Sequence, residues 1–303
     1  MNFEEELKQR QNQIEDILKA YLPEETGFQK TVIEAMNYSV MAGGKRLRPM
    51  LMMEAFRVFG GKEYSGDVKV LEPFMAAIEM IHTYSLVHDD LPAMDNDEYR
   101  RGRKTTHVVY GEDMGILAGD GLLNYAYETA AKALDANDDE IRPVVKAMKI
   151  LSEKAGIYGM VGGQTADVEA ENKNEDMTLE QILFIHEHKT AALIQAALMI
   201  GAVLADADEK QIKLMEEIGY NVGVAFQIQD DILDVTSSTE VLGKPVHSDE
   251  KNNKTTYVTL KGLDQAQHEQ TNMSIEALSL MESFGWEDSF LYALIKSLIT
   301  REK

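Results

Sequence analysis

Cysteine is missing from all 303 residues of the chain. Disulfides, thiolate catalysis and cysteine-ligated zinc are thereby excluded together. Proline is scarce, six in all with none between Val144 and Lys244, so the middle of the chain carries no strong helix breaker. Alternating β-branched runs are missing too, which argues against a sheet. No stretch reaches the ~18 consecutive apolar residues of a membrane-spanning helix, so no stable membrane anchor is expected. The opening MNFEEELKQRQNQ is polar and acidic, unlike a signal or transit peptide, and a cytoplasmic location is expected by default. Positive charge is also in short supply. With 30 Lys and Arg against 52 Asp and Glu, the formal net charge is −22. That balance argues against a nucleic-acid partner, which wants a basic face. It also repels anionic substrates at long range, so any polyanion must be held through local cations or metal ions.

What is present reads as helix. Leu7, Ile14, Ile17, Leu18 and Tyr21 make one apolar stripe. Met75, Ile78, Met80, Ile81, Leu86 and Val87 belong to a second helix, with Pro73 placed near its first turn. Thr178 and Gln181 have capping-box spacing ahead of a long, mostly buried helix, ILFIHEHKTAALIQAALMIGAVLA. FLYALIKSLI closes the chain as another helix. Connections fall near 60–67, 92–97, 135–143, 170–177 and 236–253. No flexible linker separates them, so the expected fold is all-α, a single-domain bundle of about ten or more helices over residues 1–303. The 17 methionines read as core filler.

Paired aspartates occur three times. Asp138-Asp139 sits among polar residues and reads as a loop or cap. Asp230-Asp231 lies within VGVAFQIQDDILDV, and at ~100° per residue Asp230 and Asp234 share a helix face with Asp231 beside them. Three clustered carboxylates in apolar surroundings need a counter-charge, and a hard divalent cation such as Mg²⁺ supplies one. Asp89-Asp90 ends an apolar run, and Pro92 then stops the helix, so that Asp95 can fold back toward the same cation. Two such clusters would jointly grip a diphosphate. Cations gather close by: Arg100 and Arg101 after the first pair, and Lys45, Arg46 and Arg48 in AGGKRLRP. Arginine's planar fork suits phosphate oxygens, although Gly43-Gly44 also fits a helix C-cap with cations at the negative end of the dipole. Lys189, flanked by apolar residues, calls for an anionic partner.

GGKRLRP, DDLPAMD followed by RRG, GQTAD, HKTAAL, FQIQDDILD and LGKP…KTTY occur in that order. On these segments the chain resembles the trans-type isoprenyl diphosphate synthases over nearly its whole length. The resemblance implies a homodimeric all-α fold around a deep central cavity, isoprenyl diphosphate substrates, three Mg²⁺ ions and head-to-tail prenyl transfer. Asp89, Asp90, Asp95, Asp230, Asp231 and Asp234 match the metal ligands. Arg100, Lys189, Lys244 and Lys254 match the clamp on the allylic diphosphate, and Lys45, Arg48, His82 and Arg101 the isopentenyl diphosphate site. Thr190 and Gln227 match polar groups beside the developing carbocation. Arg301 and Lys303 resemble the family's basic tail, and His247 in LGKPVHSD departs from the family's glycine. Tyr84, five residues before Asp89, and Ser85 match chain-length positions, which implies a farnesyl product; a geranyl or geranylgeranyl product keeps the same chemistry. A terpene cyclase would lack GGKRLRP. A di-iron bundle needs two Glu-x-x-His pairs, whereas Glu79-x-x-His82 stands alone. A non-catalytic partner subunit would have lost a carboxylate cluster. His186 and His188, without a third ligand, read as packing groups.

Overall fold

The computed structural model describes residues 2–61, 68–135, 141–173, 177–236 and 255–299. Its fold is all-α. The chain forms two compact units, one of Met1–Lys149 with Val203–Asp206, the other of Ile150–Ala202 with Ala207–Lys303.

The first unit holds α1 (Phe3–Tyr21), α2 (Lys30–Val40), α3 (Leu47–Val58), α4 (Val68–Asp89), α5 (Thr106–Tyr110) and α6 (Glu112–Ala131). Asn2 and Glu5 close a capping box at the head of α1, and Ile14, Ile17 and Leu18 of the expected stripe are buried. α4 is apolar almost all round and buried accordingly. Phe74, Ile78, Met80 and Ile81 lose all contact with solvent, each worth roughly 1.5–3 kcal/mol. Met50, Met52, Met53, Met75 and Met80 are core residues, as their softness suggests. Pro73 is a correction: it lies inside α4 rather than in its first turn. The carbonyl four residues before it therefore loses its usual helical donor.

A second difference is a short antiparallel ladder, β1 (Tyr99–Arg100) with β2 (Arg103–Lys104). No β-branched alternation announces it. It forms because Arg101 (φ 53°) and Gly102 (φ 74°) both take positive φ, the requirement of the two-residue turn that matches strand twist.

α7 (Ile141–Ala155) leads into the second unit, which contains α8 (Met160–Lys173), α9 (Leu179–Ile185), α10 (Ala192–Leu204), α11 (Glu209–Thr236), α12 (Tyr257–Lys261), α13 (Leu263–Glu282) and α14 (Phe290–Ile299). The connections expected at 135–143 and 170–177 are shorter, because α7 begins at Ile141 and α8 runs to Lys173. Thr178 and Gln181 form the expected capping box. The single long helix expected after them is not continuous. His186–Ala191 is a π-helical segment between α9 and α10, with the Ala192 N–H donating to Glu187 O, five residues back. Such widened turns are uncommon and concentrate at functional sites. Ile182, Ile185, Ala191, Val224, Ile228 and Tyr257 pack the core beside it.

Candidate active site

In the first unit the site grows from the end of α4. Pro92 cannot continue the helix, and α4 stops at Asp89. The chain then turns back, so that the Asp95 N–H donates to the Asp89 carbonyl at 2.8 Å. The expected return of Asp95 toward the first pair is therefore present in the backbone. The helix macrodipole is negative here and disfavours carboxylates, so the cluster needs cations. Arg100 supplies one, reaching Asp90 with Nε at 2.7 Å and Nη2 at 2.6 Å. Burial raises the Asp90 pKa, and the Arg100 hydrogen bond and charge pull against it.

The ladder that carries Arg100 and Arg101 docks on the end of α2. Arg101 donates to the Gly43 carbonyl and Arg103 to that of Met41 at 3.2 Å, while the Tyr38 hydroxyl donates to Lys104 O at 2.7 Å. Cations do sit at the negative end of a helix dipole next to Gly43, but they come from the ladder rather than from AGGKRLRP. Within that segment the three cations part company. Lys45 is exposed, Arg48 is half-buried, and Arg46 turns inward to Glu15 at 2.7 Å, Glu79 at 2.8 Å and the Val40 carbonyl at 2.6 Å.

Arg48 Nε is buried and has no hydrogen-bond partner. Burial lowers the Arg48 pKa to about 10, with Glu79 opposing and Arg101 adding to the shift. Burial, then the charges of Arg48, Arg101, Arg100 and Arg46, hold His82 well below its ordinary pKa. The pocket thus presents a neutral imidazole and an orphaned guanidinium N–H among several cations, a setting that an anion would relieve. Tyr84, buried one turn before His88, meets that ring edge-on at 5.9 Å, and burial pushes its phenol pKa up to about 12. Ser85 donates to the His82 carbonyl at 2.9 Å.

In the second unit Asp230, Asp231 and Asp234 lie in the last two turns of α11, again at a negative dipole end. Asp231 and Asp234 are buried and Asp230 is half-buried. Asp231 accepts the Tyr257 N–H at 2.9 Å and lies 3.7 Å from His186 Nε2. A cavity of about 120 Å³ gathers Asp167, His186, Lys189, Thr190, Gln227 and Asp231. Lys189 has the anionic partner its apolar flanks demanded: Asp167, buried on α8, at 2.6 Å. The Thr190 hydroxyl donates to Gln227 Oε1 at 2.9 Å. Two residues thus escaped the sequence reading. Asp167 was legible only as part of GQTAD, and Arg46 only as one of three neighbouring cations. Asp138, Asp139, Lys244, His247, Lys254, Arg301 and Lys303 lie outside the described residues.

Among the described residues, no three His, Asp or Glu side chains converge as a ready-made metal cage. The donor set still fits Mg²⁺, which takes hard oxygen ligands, often one or two carboxylates, and completes its shell with water and substrate phosphate.

An all-α scaffold with carboxylates and arginines gathered at helix ends defines a class of protein that takes an anionic ligand through cations. The polyprenyl synthetase family model matches residues 29–286. The chain is 44% identical over 265 residues to a farnesyl diphosphate synthase of Geobacillus stearothermophilus, covering 87% of this chain and 86% of the relative. It is 40% identical over 299 residues to that of Bacillus subtilis, covering 98% and 97%. A solved Helicobacter pylori geranyltransferase, complexed with magnesium and isoprenyl diphosphate, superposes with a TM-score of 0.83 at 34% identity, over 99% of this chain and 97% of that one. The chain belongs to the polyprenyl synthetase family.

Proposed function

We propose that this protein is a prenyltransferase, a farnesyl diphosphate synthase, with residues 1–303 as one catalytic domain. It condenses isopentenyl diphosphate head to tail with dimethylallyl or geranyl diphosphate. The observation that carries this reading is the convergence of Lys189, Thr190, Gln227 and Asp231 on one cavity of the second unit. Cation, hydroxyl, amide and carboxylate together are what an ionising allylic diphosphate requires.

Asp89, Asp90, Asp95, Asp230, Asp231 and Asp234 are the proposed ligands of three Mg²⁺ ions; magnesium is present in the Helicobacter pylori relative. Bound there, the ions would neutralise the leaving diphosphate. Arg100, Lys189, Lys244 and Lys254 hold the allylic diphosphate, stabilising the charge that grows as the C–O bond breaks. Thr190 and Gln227 turn fixed dipoles toward the allylic cation while the walls exclude water. Lys45, Arg48, His82 and Arg101 bind isopentenyl diphosphate, whose double bond attacks the cation. The departing diphosphate takes the proton released when the new double bond forms, so no nucleophilic side chain is needed and the absence of cysteine is no obstacle.

Tyr84 and Ser85 set product length. Five residues before Asp89, Tyr84 lies ~7.5 Å further back along the helix, where a ring can floor the site. The protein acts as a homodimer; exposed Val109, Ile116 and Leu117 on α5 and α6 support an apolar contact between copies.

The test is incubation with dimethylallyl and isopentenyl diphosphates and Mg²⁺, followed by sizing of the alcohols released from the product. Farnesol is expected, and nothing with excess chelator. Undiminished turnover under chelation overturns the mechanism, and geranylgeraniol as main product overturns the length assignment.

A further inference from the structure

Lys189 and Thr190 both belong to the π-helical segment, and that segment is seated against α8 and α11 at two glycines. A Cβ on Gly163 of α8 would lie 2.7 Å from the His188 carbonyl carbon and 2.8 Å from Lys189 Cα, and closer still to the Lys189 amide nitrogen. A Cβ on Gly223 of α11 would lie 2.5 Å from Ala191 Cα and closer to Ala191 Cβ. All are contacts that real side chains do not make. Each glycine is followed, one helical turn later on the same face, by the polar residue that meets the segment. Asp167 follows Gly163 and takes Lys189 Nζ at 2.6 Å. Gln227 follows Gly223 and accepts the Thr190 hydroxyl at 2.9 Å. Two helices thus present the same device, a missing side chain and then a hydrogen-bonding one, to successive residues of one widened turn.

We infer that Gly163 and Gly223 are positioning residues for the reaction, fixing how closely the backbone of residues 188–191 approaches α8 and α11. They thereby set where Lys189 and Thr190 present their side chains. The inference deepens the proposed function and rests on Lys189 and Thr190 serving the allylic substrate. A methyl group at either glycine must push the turn away by roughly 1 Å, a displacement that costs about 100-fold where reacting groups must be aligned.

The experiment compares Gly163→Ala, Gly223→Ala and the control Gly219→Ala in full-length enzyme, with steady-state constants for each substrate and thermal unfolding. Gly219 is equally crowded, a Cβ there falling 2.7 Å from Gln195 Cα, but its neighbour lies outside the π-helical segment. Gly163→Ala and Gly223→Ala should lose about 100-fold in kcat/KM for the allylic diphosphate and keep the isopentenyl diphosphate KM within about twofold. Gly219→Ala should lose thermal stability and keep both constants within the same margin. Ala191→Gly, which removes the nearest clashing methyl, should restore at least tenfold to Gly223→Ala.

Wild-type constants in both test variants overturn the inference, as does an equal catalytic loss in Gly219→Ala. If Gly163→Ala does not fold, Gly223→Ala and its Ala191→Gly rescue decide the matter alone, and failure of that rescue overturns the space argument. A wild-type enzyme inactive on these substrates would refute the proposed function instead.

Discussion

Replacing Arg46 with Met asks whether this guanidinium is present to neutralise Glu79. The two side chains are 1% and 3% exposed and lie 2.8 Å apart, whereas Glu15, the other carboxylate on Arg46, is 26% exposed. Methionine keeps the length of the stem and deletes the charge, leaving Glu79 ionised in the core between α3 and α4. Removing one member of a buried pair costs about 3–5 kcal/mol, since the remaining charge is neither solvated nor matched. Arg48 and Arg101 also feel the Glu79 charge, which sets the expected loss at the lower end, about 3 kcal/mol. Glu15 reaches water and adds less than ~1 kcal/mol. The lost donor to the Val40 carbonyl adds ~1 kcal/mol. Deleting both charges in Arg46→Met/Glu79→Met removes the uncompensated carboxylate, and apolar replacement of a whole pair is often neutral or stabilising. The double variant should therefore recover about 2 kcal/mol or more relative to Arg46→Met. Urea unfolding followed by far-ultraviolet circular dichroism gives all four corners of the cycle. An Arg46→Met loss below ~1 kcal/mol, or a double variant no more stable than the single one, refutes the reasoning.

Other outcomes follow from the same geometry. His82 has its pKa depressed in the folded state by burial and four arginines, so the unfolded chain binds the proton that the folded one refuses. Stability is complete above the ordinary histidine pKa of ~6.5 and falls as pH drops below it. Between pH ~7.5 and ~5.5 wild type should lose about 1.4 kcal/mol that His82→Gln does not lose, and parallel pH profiles would refute this. Tyr84→Ala should shift the product beyond fifteen carbons (about one further isoprene unit) at a stability cost near 3–5 kcal/mol; an unchanged product removes Tyr84 from the floor. Thr190→Val keeps the shape and loses the hydroxyl, so kcat should fall at least tenfold with the isopentenyl diphosphate KM unchanged. A variant at wild-type kcat would show that the hydroxyl does not steady the allylic cation.

The helices were legible because their signals are local. Asn2 with Glu5, Thr178 with Gln181, Pro92 after Asp90 and the apolar run of α4 each act within a turn or two of the chain. So were both carboxylate clusters, because spacing along one helix fixes which side chains share a face. The break in the helix after Ile185 was not legible, since nothing between His186 and Ala191 disfavours an α-helix strongly enough. The widened turn is matched to vacancies at Gly163 and Gly223, 23 or more positions away in sequence. For the same reason Asp167 could not be named as the partner of Lys189, nor Arg46 separated from Lys45 and Arg48. Which of three neighbouring cations turns inward is decided by Glu15 and Glu79 on other helices. Residue type and spacing determined the helices and the kinds of charge they carry. Only the tertiary structure decided which charges meet, because a pairing between helices depends on how closely their backbones can pack.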